Sequence, residues 1–234
     1  MSPSDCIIKQ VFQNARVLTN EFFPGYGIYI LLKRSDCVPP KPKFTRKQVV
    51  SAALDIVERE GIGALTAREL GNEMGSSARP IFTLFANMEE LNDCLLLAAR
   101  ERFEQYVLSN HRPGPFFRQV GMRMVSFAVE QPNLFRFLFM YENSGAKSFD
   151  QIYDRLGNLA EVCINSIMEE HKIDRNSAKK VFENLWIFTF GIGALCATGM
   201  CKFSMEKLEQ MLAFEFKSVM YQVVNPDIHF LEEK

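Results

Sequence analysis

Residues 65–91 read LTARELGNEMGSSARPIFTLFANMEEL, and this stretch decides the fold. Thr66 and Glu69 have the spacing of a capping box, in which the two side chains take up N–H groups orphaned at a helix start. Leu65 and Leu70 stand at the two positions of a hydrophobic staple around that cap. The helix so opened carries Leu70 and Met74 on one face and stops at Gly75. Ser77 can cap a second short helix over Ala78 to Leu84, with Ile81, Leu84 and Phe85 at i, i+3 and i+4. Two short helices about a tight glycine turn make a helix-turn-helix, whose second helix enters the major groove of DNA. Asn87 and Glu90 repeat the capping logic for a further helix beginning near Met88.

Upstream, Thr45 and Gln48 form another capping box, with Phe44 and Val49 as its staple, and open a helix over 46–60. Val49, Ala53, Ile56 and Val57 make its apolar stripe, and Gly61 is placed to end it in a left-handed cap. Downstream, a long helix over 88–108 turns Leu91, Leu95, Ala98 and Phe103 inward before a break at 111–115. The helical period then continues over 116–131, 133–142, 148–171, 174–199 and 204–224, with Pro132 placed to start the second of these. No strand-like alternation interrupts it. The expected architecture is all-α: an N-terminal three-helix, helix-turn-helix domain over 41–90 and a helical ligand-binding and dimerisation bundle over 91–225. Residues 1–40 read as a poorly ordered extension and 226–234 as a tail.

The 234 residues suffice for one large core or two small ones, and 21 Phe suit a packed helical interior. A formal charge of −1 exerts no global pull on nucleic acid or an anionic membrane. Locally, six basic residues against Asp36 leave +5 over 33–47. Such an arm can track phosphates or a minor groove, or serve as a solvated linker. Six scattered cysteines without C-x-x-C spacing read as free thiols of a reducing, cytoplasmic compartment. Residues 184–201 carry no charge over 18 positions, the lower edge of membrane-spanning length. Their Asn, Thr and Gly content and the adjoining Glu183 favour a buried core helix, so no membrane partner is expected. His111, His171 and His229 have no nucleophile or acid at useful spacing, and no phosphate loop or metal motif occurs. An enzyme is not expected, nor is any cofactor or metal.

Residues 45–91 resemble the DNA-binding domain of the TetR family of transcriptional regulators. The resemblance lies in Gly75-Ser76-Ser77 at the turn, Ile81-Phe82-Thr83-Leu84-Phe85 along the reading helix, and Met88-Glu89-Glu90-Leu91 at the next helix start. Pro132-Asn133-Leu134-Phe135 and the Trp186 to Gly191 region look like landmarks of the family's ligand domain. The resemblance implies a homodimer that reads a palindromic double-stranded operator, represses, and is released by a small, mainly apolar effector. It assigns DNA contacts to Thr45, Arg46, Thr66, Ser76, Ser77, Ala78, Arg79, Phe82 and Thr83. Arg79 is the residue there able to grip guanine in a bidentate way. Phe103, Tyr106, Met124, Phe127, Phe137, Tyr141, Trp186 and Phe190 are expected to line the effector site, with core packing as the alternative for each. Two departures weaken the DNA assignment. Phe82 and Met88 stand where relatives hold Tyr and Lys, which contact phosphate, and residues 33–100 carry only +1, ten basic against nine acidic. The alternative is a TetR-like interaction or ligand-binding module that has lost DNA binding.

Overall fold

The computed structural model describes residues 43–109, 114–141, 151, 156 and 158–225. The expectations for residues 1–40, for most of the basic arm, for the start of the 148–171 helix and for the tail fall outside them. Among the described residues the secondary structure is helical throughout: α1 Arg46–Glu60, α2 Ala67–Glu73, α3 Met88–Leu108, α4 Phe116–Glu130, α5 Pro132–Phe139, α6 Leu159–His171, α7 Arg175–Ala197 and α8 Met205–Val224.

The helix starts follow the caps written into the sequence. Thr45 takes the Gln48 N–H on its hydroxyl while the Gln48 side chain accepts the Thr45 N–H, both halves of the box. Thr66, Asn87, Asp174 and Ser204 cap α2, α3, α7 and α8 through side-chain oxygens. Pro132 occupies the first position of α5, where the missing N–H costs nothing. Gly61 ends α1 with φ +88°, but its ψ of 166° lies far from the left-handed helical cap expected of it. Its N–H still closes on the Val57 carbonyl at 2.9 Å, and the extended ψ leads directly into a 3₁₀ turn at Ile62–Ala64.

The larger correction concerns the reading helix. Ala78 to Leu84 is not an α-helix; only Ile81–Thr83 is helical, and it is a single 3₁₀ turn. Pro80 explains this. It has no N–H to give to an earlier carbonyl, and its ring disfavours the α conformation at Arg79. Three-residue bonds run from Ile81 N–H to Ala78, Thr83 N–H to Pro80 and Leu84 N–H to Ile81, and a single four-residue bond from Phe85 N–H to Ile81 closes the segment. The Thr83 hydroxyl donates to the same Pro80 carbonyl at 2.6 Å.

α7 lies at the centre, packed against α4, α5, α6 and α8. It is long and apolar enough to cross a membrane, and it buries Val181, Phe182, Leu185, Thr189, Ile192 and Gly193 among its neighbours. α1 packs on α2, α3 and α5, so one buried apolar cluster runs from Val49 through Phe103 and Phe135 to Val219. The inward stripe of α1 is fully buried as expected; on α3 it is Ala99, rather than Ala98, that has no exposure. Asn133 donates to the Glu58 carbonyl at 3.0 Å and Arg102 pairs with Glu58 at 2.8 Å, tying the end of α1 to α5 and α3. Cys94, Cys163, Cys196 and Cys201 are free thiols, and burial pushes Cys163 up to about 12.

α5 and α7 meet so closely that a Cβ on Gly193 would stand 2.8 Å from Phe135 Cζ and 3.1 Å from its Cε2. Phe135 has no exposure and is stacked by Phe190, so it has nowhere to move. Gly193→Ala should therefore cost about 1–3 kcal/mol in overpacking, more than the helical gain of up to ~1 kcal/mol from replacing glycine. A lower urea midpoint than wild type checks it.

Candidate nucleic-acid interface and the aromatic bundle

The helix-turn-helix is closed by contact between backbones. A Cβ built on Gly71 would lie 2.8 Å from Ser77 C and 2.9 Å from Ala78 N, so the turn rests directly on α2. Gly75, at φ +61°, makes the reversal that brings it there. Ile81 and Phe85 then anchor the segment from below, each 1% exposed. Ser77, Arg79, Phe82 and Thr83 point outward, with Ser76 and Ala78 half-buried beside them. Phe82 is 47% exposed, an apolar ring on the face assigned to DNA. Thr45 and Thr66 are also exposed, although each spends its hydroxyl on a cap.

Arg46 has a role the sequence did not disclose. Its guanidinium donates to the Leu84 carbonyl at 2.8 Å, to Glu90 Oε1 at 2.7 Å and to Cys94 Sγ at 3.4 Å. It also lies 4.2 Å over the Phe85 ring. One side chain thus fastens the first turn of α1 to the end of the reading segment and to the first turn of α3. Its partners are 38–48 residues away, so no local pattern signals it. Glu90 completes the latch. Its other oxygen accepts the Ala86 N–H at 2.6 Å, one residue short of the N-cap that a standard box would satisfy. The Ala86 N–H first, and Arg46 second, hold the Glu90 carboxyl below its ordinary value. Lys43 similarly reaches the Gly75 carbonyl at 3.3 Å. Lys47, Arg68 and Arg79 are exposed and stand in no ion pair among the described residues.

The residues expected to line an effector site are mostly packed on one another. Phe103 meets Phe127 edge-on at 5.1 Å, Tyr106 meets Phe127 at 5.3 Å, and Trp186 stacks on Phe190 at 5.3 Å with planes 8° apart. Phe139, not singled out in the sequence, joins the two groups through Phe103 and Trp186. Phe137 and Tyr141 form a separate pair at 6.0 Å, and Met124 is 3% exposed in the shared core. Burial, then a bond to Glu130, pushes the Tyr106 hydroxyl up to about 12, while Arg123 lies 4.6 Å over its ring. The cluster is a packed apolar interior with a polar edge at Tyr106 and Arg123. Among the described residues no group of His, Cys, Asp and Glu is arranged to hold a metal ion.

Two substitutions test this geometry. Gly71→Ala should destabilise by about 1–3 kcal/mol, because backbone rather than a flexible side-chain end must yield; thermal unfolding followed by circular dichroism reads it. Because the folded Glu90 carboxyl titrates below its unfolded value near 4.5, its contribution is complete above that pH and fades as pH falls through the folded value. Glu90→Gln should therefore lower stability at neutral pH and flatten the loss below about pH 4.5 in acid-unfolding curves.

No protein-family model and no curated protein matches the sequence. Solved structures do match in shape. A TetR-family transcriptional regulator from Streptomyces coelicolor superposes with TM-score 0.62 at 17% identity, over 78% of this chain and 82% of its own. A transcriptional regulator from Rhodococcus gives TM-score 0.60 at 12% identity, over 76% and 97%. A TetR variant from Acinetobacter baumannii in complex with minocycline gives 0.52 at 15% identity, over 80% and 100%. In architecture, from the first capped helix through the central α7 to α8, the chain has the all-α fold of the TetR-family transcriptional regulators.

Proposed function

We propose that the protein is a ligand-responsive, DNA-binding transcriptional regulator of the cytoplasm, and a repressor rather than an enzyme. The observation that carries this reading is the outward face of Ser77, Arg79, Phe82 and Thr83, with Arg79 in no ion pair among the described residues, on a turn whose backbone rests against Gly71. A segment so held can enter a groove without reordering, with Arg79 bidentate on guanine and Phe82 against a thymine methyl. Ser76, Ser77, Ala78 and Thr83 flank them, and Thr45 and Thr66 bring two helix starts toward phosphates.

The outer faces of α7 and α8 suit a homodimer. Ile187, Phe214 and Tyr221 are 53%, 73% and 55% exposed, an apolar surface of the kind that two-fold pairing covers. Two reading segments fixed by such a pair match a palindromic operator. A small, mainly apolar effector is the partner we assign to the helical bundle, and one solved structure of similar fold is a TetR variant in complex with minocycline. Repression is relieved when the effector favours a dimer spacing that no longer fits both half-sites. The second reading, a module of this fold that has lost DNA binding, is favoured by the spent guanidinium of Arg46 and by Phe82 and Met88 in place of phosphate-contacting residues.

Fluorescence anisotropy with duplex from upstream of the gene, titrated across salt, separates the two. The regulator reading expects binding at low salt with a shallow salt slope, since few phosphates are neutralised. Arg79→Ala should cost roughly 1–3 kcal/mol on the operator and less on random duplex. Absence of affinity for any duplex at low salt would overturn it in favour of the second reading.

A further inference from the structure

An apolar cavity of about 180 Å³ opens between the start of α4, the end of α6, α7 and α8. Phe117, Leu185, Leu212 and Phe216 form its walls, and none of the eight residues expected to line an effector site borders it. Gly121 leaves the floor open: a Cβ there would already touch Leu212 Cδ1 at 3.6 Å and Thr189 Oγ1 at 3.9 Å. Thr189 is buried and donates its proton to the Leu185 carbonyl at 2.7 Å, so the interior offers no free donor. An interior of this kind is dry and takes rings: a cavity of roughly 150 Å³ lined by Leu, Ile and Phe binds benzene.

The rim is charged, and its charges are unevenly satisfied. Arg118 is paired with Glu209 at 3.2 Å. Glu170 accepts the Phe116 N–H at 3.1 Å and the Ser166 hydroxyl at 2.8 Å, and its other oxygen is 4.0 Å from His171 Nε2. The His171 ring lies 5.1 Å from that of Phe216. Lys217 alone among these cations has no acidic partner among the described residues.

We propose that this cavity is a binding site for a one-ring aromatic carboxylate, with the ring between Phe117, Leu212 and Phe216 and the carboxylate at Lys217. The size admits one ring, the walls exclude a polar one, and the lining includes exposed Lys217, which has no acidic partner among the described residues and can meet an anion. A ligand there touches α4, α7 and α8 together, the last two being the helices whose outer faces are assigned to the dimer. The site deepens the effector half of the regulator reading and rests on it only for the consequence at DNA; occupancy is measured without DNA.

The full chain is titrated calorimetrically with benzoate and with benzyl alcohol, a neutral compound of the same size. The expected result is one benzoate per chain, with benzyl alcohol roughly tenfold weaker. Lys217→Ala should bring benzoate down to the alcohol's affinity. Ala213→Leu should fill the cavity and abolish binding of both, with Gly121→Val as a second filler should the first fail to fold. No binding of benzoate at up to ~10 mM, equal affinity for the two compounds, or binding unchanged in a folded filler variant would each overturn the site. Benzoate binding that leaves operator affinity unchanged would keep the site and overturn its role as effector site. A chain that binds benzoate and no DNA would sink the regulator reading alone.

Discussion

The fold is arranged around one side of an uncharged run of 18 residues in the last third of the chain, where Leu185, Trp186, Thr189, Ile192, Gly193 and Ala197 are buried. α7 carries most of that run and is enclosed by α4, α5, α6 and α8. The enclosure is tight where small residues permit it. Gly193 lets Phe135 of α5 lie against the helix, and that contact continues through Phe190, Trp186 and Phe139 into the rings of α3 and α4. Burial is incomplete on one side, where Ile187 and the opposing residues of α8 stay exposed. The same helix therefore supplies both core and exposed apolar surface.

The N-terminal helices share this interior. Val57 and Ile56 of α1 belong to the same buried cluster as Phe135 and Val181, and Glu58 is held from both α5 and α3. The packing is thus continuous from α5 and α3 to α1, and Arg46 joins α1 to the Leu84 carbonyl at the end of the reading segment. Packed cores switch between discrete arrangements rather than deforming smoothly, so on the regulator reading proposed above a ligand would act by favouring one arrangement. The latch also has a cost for recognition, since an arginine engaged by Glu90 and Leu84 is not offered to phosphate.

The balance of charge fits a modest grip on DNA. Lys47, Arg68 and Arg79 are exposed cations of the domain, whereas Arg59 is taken by Glu60 and Glu73 and Arg46 by Glu90. On the regulator reading proposed above, the counterion-release contribution would be small and discrimination would fall to Arg79 and the segment that carries it.

Caps, stripes and stops were legible in the residues alone. Thr45 with Gln48, Thr66 and Asn87 set the starts of α1, α2 and α3 because capping is decided within a few residues of chain. The all-α class and the helix-turn-helix outline follow from the same local rules. Local rules also misjudge the helix expected over Ala78 to Leu84, where the missing donor of Pro80 and the restrained Arg79 leave only a 3₁₀ turn. Tertiary structure alone decided that Arg46 is a latch, that Gly71 is a landing for the turn, and which aromatic side chains fill the interior. Each of these depends on partners remote in sequence, and a helical stripe tells which face is buried without telling what it is buried against.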